Sequence, residues 1–331
     1  MPTQLPGGIY VPVVTFFEAT RAQALDLPTH AGHITRLAAA GVAGIVVMGS
    51  TGEAVTLSRE ERNELVRSTK AALTAANSSA LVIAGTVGAQ STAQAIELSN
   101  DAAASGADFT LTLPPSYYPG VMTDDALAAY YEEVASNTSI PLIIYSYPAV
   151  SGGINMDSDL IARLAKHPNI AGIKHTDHDV GKIARVVAAS DPATFTVLGG
   201  ATDYLLGTLS YGGRGAITGL ANIAPRACLR AYEAHVAGEH DTALAYAAAV
   251  STAEGAFVKA QLTGLKYGTV WAAGLPDSAA LGRRPLPPCP ENMRDWVRAK
   301  CDGVLALERA LEAEGWSGRP TSAKANGANG H

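Results

Sequence analysis

Apolar residues fall along this chain in two alternating rhythms. Short, nearly unbroken apolar runs occur at 9–15, 44–48, 81–86, 108–111, 141–145, 170–174, 194–198 and 215–218. Between them lie longer stretches in which apolar positions recur at helical spacing. Strand and helix in strict alternation predict a parallel sheet with crossover helices. Several helix starts are marked as well. Ser58-Arg59-Glu60-Glu61 and Ser91-Thr92-Ala93-Gln94 have the form of capping boxes, and Thr123 and Asp157 suit the N-caps of the next two helices. Eight β-α units between residues 7 and 235 suit a closed (β/α)8 (TIM) barrel, whose usual length is about 250 residues. An open doubly wound sheet is the alternative.

Beyond residue 235 the strand signals cease and helical spacing takes over, at 240–259, 260–271 and 291–314. The expected organisation is therefore an α/β barrel over 7–235, a C-terminal helical extension over 236–314 packed outside it, and a small-residue polar tail over 315–331 expected to be disordered.

Composition narrows the class. With 331 residues and 47% hydrophobic content, the chain can bury a large core, and a net charge of −6 supplies no basic field for nucleic acid or anionic lipid. Cys228, Cys289 and Cys301 are odd in number, far apart and without a CxxC pair, which indicates neither a disulfide framework nor a zinc knuckle. No basic leader and no run approaching ~20 apolar residues is present, so a cytoplasmic location is expected.

Chemistry enters at Lys174. It closes the apolar run Ile170-Ala171-Gly172-Ile173, whereas Lys70, Lys166, Lys182, Lys259, Lys266 and Lys300 lie in polar or helical surroundings. An amine ordinarily titrates near 10.4, and dry surroundings disfavour its charged form and release a nucleophile able to form an imine with a carbonyl. The alternative is a strand-end lysine that merely reaches solvent. Gly49-Ser50-Thr51-Gly52-Glu53, directly after the second run, offers tight turning, consecutive N–H groups and two hydroxyls, which suit a carboxylate better than a phosphate. Tyr145 ends the fifth run, one strand before Lys174. In a barrel, Ser50, Thr51, Tyr145 and Lys174 would share the C-terminal rim. Period-two alternation puts Thr176 on the side of Lys174 and turns His175 away. His175-Thr176-Asp177-His178-Asp179 could be read as metal ligands, but alternation separates them, and Asp177 is expected to cap the sixth helix instead.

Together these residues resemble the dihydrodipicolinate synthase and N-acetylneuraminate lyase family. The resemblance runs over most of 7–310 and rests on Gly49-Ser50-Thr51-Gly52-Glu53, Pro115-Ser116-Tyr117-Tyr118, Tyr145-Ser146-Tyr147-Pro148 and Gly172-Ile173-Lys174. It implies that Lys174 forms an imine with pyruvate or another 2-oxo acid, without metal or other cofactor, and that Tyr145 is the acid-base group. It further implies that Ser50 and Thr51 hold the carboxylate, that Ser50 joins a hydroxyl relay, and that Tyr118 is lent to a neighbouring subunit. A homo-oligomer, tetramer or dimer, follows from the same resemblance.

One departure bears on substrate. Where the synthases of this family carry an arginine that grips a second carboxylate, the chain has Val150. Thr176, Gly200, Thr202 and Asp203 match positions at which lyase-type members contact substrate, which implies a polyhydroxylated chain. Gly219-Leu220-Ala221-Asn222 is similar to the branch with keto-deoxy sugar acid and 4-hydroxy-2-oxoglutarate aldolases. The expected function is a class I aldolase for a 2-keto-3-deoxy sugar acid. A 4-hydroxy-2-oxoglutarate aldolase, with Arg214 as a possible distal cation, a dehydratase, a 4-hydroxy-tetrahydrodipicolinate synthase and a non-catalytic 2-oxo acid sensor are the alternatives.

Overall fold

The computed structural model describes residues 4–318. Its eight strands are β1 (Gly8–Pro12), β2 (Gly44–Val47), β3 (Leu81–Gly85), β4 (Phe109–Thr112), β5 (Leu142–Ser146), β6 (Ile170–His175), β7 (Thr196–Gly199) and β8 (Gly215–Ile217). They close into a barrel in chain order, with β1 pairing in parallel to both β2 and β8. The (β/α)8 expectation holds, and the open sheet is excluded. Strand limits differ by one to three residues at several ends: pairing in β1 stops before its apolar run does, whereas β4 to β7 each run one residue further. Val13, Val14 and Phe16 stay buried beyond β1. At the start of β7 the N–H groups of Thr194 and Phe195 are bonded to Asp191 O in a turn, which delays pairing to Thr196.

The crossover helices are α1 (Leu27–Ala40), α2 (Arg59–Ala75), α3 (Thr92–Ser105), α4 (Asp124–Ser136), α5 (Ser158–Leu164), α6 (Val180–Ala189), α7 (Leu205–Ser210) and α8 (Pro225–Val236). Ser58 and Glu61 form the complete capping box of α2. At α3 only half of the expected box forms. Ser91 accepts from Gln94 N, but Gln94 Oε1 reaches past the cap to Gln90 N. Thr123 and Asp157 cap α4 and α5 as their side-chain chemistry requires.

The C-terminal region consists of α9 (His240–Ala272) and α10 (Glu291–Ala313), which pack on each other and on α8. The two helices expected at 240–259 and 260–271 are continuous except for a break at Gln261, where φ is 51° and ψ is −152°. The first four residues of the expected tail are placed: Trp316 N bonds Leu311 O, and Gly318 N bonds Ala40 O. Residues 319–331 lie outside the described residues. Among the described residues, no helix is long and apolar enough to cross a membrane.

Candidate active site

Lys174 stands at the penultimate position of β6, in register with Tyr145 of β5 and Leu198 of β7. The residue is 4% exposed. Its Nζ lies 3.2 Å from the Tyr145 hydroxyl and 4.2 Å from the centre of that ring. Burial pushes the amine down to about 7, against an opposing pull from the Glu254 carboxylate. Neutral nitrogen is thus available near neutral pH, as the apolar run preceding it predicts. Burial also pushes the Tyr145 phenol up to about 12, while the Ser50 and Thr176 hydroxyls act to lower it. Ser50 Oγ and Thr176 Oγ1 are both buried beside that phenol, near enough to influence it but without a well-formed hydrogen bond of their own.

The turn after β2 is shaped to carry Ser50 and Thr51. Gly52 N bonds Gly49 O, Glu53 N bonds Ser50 O, and Thr15 Oγ1 donates to Gly52 O at 2.7 Å. Glu53, in the left-handed region at φ 55°, turns away from the site. It is buried against Lys266 Nζ at 2.5 Å and takes Arg283 N at 2.8 Å. The motif therefore divides: Ser50 lies beside the Tyr145 phenol, and the Glu53 carboxylate is a structural anchor. Gly85 is needed beside it, since a Cβ there would lie 2.1 Å from Met48 O. Gly200 is needed on the far side, where a Cβ would sit 2.1 Å from Thr176 Oγ1.

Behind Lys174 the chain departs from the sequence expectation. Asp177 does not cap α6; Asp179 does, accepting from Lys182 N at 2.8 Å. Asp177 instead turns inward, and its Oδ2 meets Ser146 Oγ at 2.7 Å, Lys182 Nζ at 2.7 Å and His175 Nδ1 at 3.1 Å. Burial alone would raise this carboxyl, but the bonds and charge of His175 with the bonds of Lys182 and Ser146 hold it far below the usual carboxylate range. His175 points away from Lys174, as alternation predicts. His178 packs edge-on against Tyr204, so the five residues do not converge on one centre. Among the described residues no group of three or more His, Cys, Asp or Glu side chains is arranged to hold a metal.

Other expected residues are placed as follows. Thr202 is buried and gives its hydroxyl to Glu254 Oε2 at 2.6 Å, while Asp203 is exposed on the next position of the rim. Tyr118 is 69% exposed and stands edge-on to Tyr117, which is 76% exposed. Val150 closes the short 3-10 turn after β5 and is exposed. Arg214 immediately precedes β8, with its carbonyl on Gly8 N and its guanidinium on Pro192 O. That places it at the opposite end of the barrel, and it is corrected as a candidate for the distal cation. Glu254 is the charged group that sequence reading missed. It is buried and lies on α9, at positions i+4 from the buried Val250 and i−3 from the part-buried Phe257. Such a place on an apolar helix stripe is the signal that could have found it.

An amine kept dry beside a phenol has no role in a purely structural barrel, and fold and site together define a (β/α)8-barrel enzyme. The profile of the dihydrodipicolinate synthetase family matches residues 5–302, and the chain belongs to that family. It is 40% identical over 311 residues to a protein of Emericella nidulans named "Probable 4-hydroxy-2-oxoglutarate aldolase, mitochondrial", covering 93% of this chain and 97% of the relative. It is also 40% identical over 272 residues to the L-threo-3-deoxy-hexylosonate aldolase of Hypocrea jecorina, covering 80% and 86%. A crystal structure of a dihydrodipicolinate synthase family protein from Coccidioides immitis superposes with a TM-score of 0.85 at 35% identity, covering 94% of this chain and 99% of that one. The chain is a carbon–carbon lyase of the aldolase kind, the class to which both curated relatives are assigned by name.

Proposed function

We propose that this enzyme is a class I aldolase that reversibly cleaves a 2-keto-3-deoxy sugar acid, such as a 3-deoxy-hexulosonate, to pyruvate and an aldehyde. The observation that carries this reading is the buried Lys174 nitrogen 3.2 Å from the Tyr145 hydroxyl at the barrel's C-terminal rim. Ser50 and Thr51 hold the substrate carboxylate. The neutral lysine adds to the C2 carbonyl, and loss of water from the carbinolamine leaves a protonated imine. As the C4 hydroxyl loses its proton, the C3–C4 bond breaks, its electron pair flows into the imine, and the aldehyde departs. Reprotonation at C3 and attack of water on the imine release pyruvate and restore the lysine. No metal or other cofactor is required, because the cationic imine is the electron sink.

Tyr145, with its phenol near 12, holds its proton at neutral pH. It can accept the C4 proton only while passing its own on, and the Ser50 and Thr176 hydroxyls offer that path. Tyr118, exposed in this chain, completes the relay of a neighbouring subunit in a tetramer or dimer. The substrate class is supported by Val150 at the rim where a cation would grip a second carboxylate, by the unpartnered Thr176 hydroxyl beside Gly200, and by the name of the Hypocrea relative. With Arg214 at the far end of the barrel, 4-hydroxy-2-oxoglutarate has lost its nearest candidate partner. A cytoplasmic location belongs to the proposal too, and the name of the Emericella relative makes the mitochondrial fraction the comparison to assay.

The test has two arms. Borohydride reduction in the presence of pyruvate should add a three-carbon unit at Lys174 and nowhere on Lys174→Ala. Pyruvate release should be fastest from a keto-deoxy sugar acid in a panel that also contains 4-hydroxy-2-oxoglutarate. An unlabelled Lys174 overturns the mechanism, an intact carbon chain in the product points to dehydration, binding without turnover points to a sensor, and turnover with aspartate semialdehyde alone overturns the substrate.

A further inference from the structure

Tyr145 and Lys174 meet because β5 and β6 are in register there, and the next pair along the same two strands is Ser146 and His175. Alternation turns this second pair away from the barrel interior, toward the helices. One carboxylate collects both. Asp177 Oδ2 accepts the Ser146 hydroxyl at 2.7 Å and meets His175 Nδ1 at 3.1 Å and Lys182 Nζ at 2.7 Å, while Oδ1 accepts Asp179 N at 3.3 Å. Ser146 is held a second time, since its carbonyl accepts Thr176 N at 2.7 Å. From the β7 side, Tyr204 donates its hydroxyl to His175 O at 2.6 Å and accepts Gly200 N at 2.8 Å, which extends the tie past the end of β7. The side chains of Ser146, His175, Asp177 and Lys182 are all buried. Hydrogen bonds to an ionised acceptor are short and roughly twice as strong as neutral ones, and burial shields these from competing solvent. Lys182 alone does not account for the arrangement. Its ammonium also donates to Asn155 Oδ1 and Met156 O, and a carboxylate serving only that charge would need no hydroxyl from β5.

We propose that Asp177 is a positioning residue, whose carboxylate clamps the ends of β5 and β6 so that the Tyr145 hydroxyl stays within hydrogen-bonding reach of the Lys174 nitrogen. The inference deepens the aldolase reading above and rests on it for the proton transfer that this spacing serves. Each strand is gripped one residue beyond the reacting pair, at Ser146 beside Tyr145 and at His175 beside Lys174. A slip of either strand end therefore passes directly to the 3.2 Å contact between phenol and amine. A misplacement of about 1 Å at a reacting group can cost roughly 10²-fold in rate. The substrate carboxylate is held elsewhere, by the turn after β2, which has its own backbone bonds and the Glu53 anchor. The clamp acts on turnover and leaves substrate binding alone.

The experiment compares full-length wild type, Ser146→Ala, Tyr145→Phe and the double variant. Substituting Asp177 itself would strand the Lys182 ammonium and unsettle the fold, whereas Ser146→Ala cuts only the arm to β5 and leaves the ion pair in place. With the keto-deoxy sugar acid that releases pyruvate fastest, kcat of Ser146→Ala should fall about tenfold to 10²-fold. KM should stay within about twofold of wild type. In the Tyr145→Phe background the same substitution should cost nothing further, because the group it positions is gone. Equal falls in both backgrounds would mark a general loss of structure and overturn the proposal, as would an unchanged kcat in the single variant. Crystal structures of ligand-free wild type and Ser146→Ala read the geometry with no keto acid present. The Tyr145 hydroxyl and the Lys174 nitrogen should move apart by about 0.5 Å or more in the variant. Coincident positions overturn the proposal whatever the kinetics show. If the separation appears but wild type releases no pyruvate from any sugar acid, the aldolase reading fails and the clamp stands.

Discussion

At Lys174, burial outweighs the opposing pull of the Glu254 carboxylate and sets both the pH range and the direction of the enzyme's response to acid. The folded amine titrates near 7 and the unfolded one near its ordinary value of 10.5. Below about 7 the nitrogen is protonated and cannot attack a carbonyl. The expected kcat/KM therefore rises with pH, about tenfold per unit below the turning point, and levels above it. A profile measured between pH 5 and 9 that is flat across 7 would contradict this. Tyr145→Phe removes the proton carrier while leaving the lysine in place. Its expected effect is a fall in kcat of about 10²–10⁴, with reductive trapping of pyruvate still occurring at Lys174. That Lys174 and Tyr145 would meet at the C-terminal rim was legible from the chain because each ends an apolar run on neighbouring strands. Glu254 was not, because a lone carboxylate in an alanine-rich helix reads as solvent-facing unless its place on the apolar stripe is weighed.

Among the elements, the turn between β6 and α6 shows where local chemistry yields to tertiary contact. Asp177 and Asp179 are equally able to cap a helix, and nothing in the chain alone chooses between them. The choice is made by Lys182, which is buried and needs an anion. It draws Asp177 inward and donates as well to Asn155 and to Met156 O, leaving the cap to Asp179. The two residues should behave very differently on substitution. Asp179→Ala loses a cap, at about 1 kcal/mol. Asp177→Asn strands a buried ammonium, at about 3–5 kcal/mol. Urea denaturation of both variants measures the difference, and equal losses would show that the inward pair is not what holds the turn. The same element-scale logic explains the helix starts. Ser58 and Glu61 close their box even though Glu61 also carries Arg283, whereas Gln94 finds the nearby Gln90 N–H first.

For the molecule as a whole, alternation and length were sufficient to give the closed barrel, since eight β-α units have few other ways to bury both faces of their sheet. What they could not give was the path of the C-terminal helices across the rim, which depends on the buried Lys266–Glu53 pair, the Glu254 bonds to Thr202 and Thr218, and a break at Gln261. Acid stability is the property at this scale that follows from named groups. His30 and His33 of α1 are fully buried, the first bonded to Thr69 and the second to Asn222. Burial lowers them to about 4 and about 3, from an ordinary value of 6.5. The unfolded chain binds protons at these two sites as pH drops through about 6.5, and the folded chain does not until far lower. Stability should therefore decline as pH falls from about 6.5 toward 4, and be insensitive to these groups above 7. Asp177, held low, adds its loss only at more acid pH. Urea midpoints at pH 7.5 and 5 should differ in this direction, and identical midpoints would refute the assignment.

Gln261 lies seven residues after Glu254 and five before Lys266. On an unbroken helix those two charges would be roughly 18 Å apart and turned a third of a circle from each other. The break allows one segment to seat Glu254 against the turns after β7 and β8 and the next to seat Lys266 against Glu53 in the turn after β2. This geometry has a consequence for synthesis. A nascent polypeptide that has emerged only as far as the eighth strand possesses every residue of the lysine pocket, yet its rim is still unfastened on both sides. Ribosome-stalled or prematurely terminated products should thus be inert toward keto acids, with competence arriving only as the final third of the message is read.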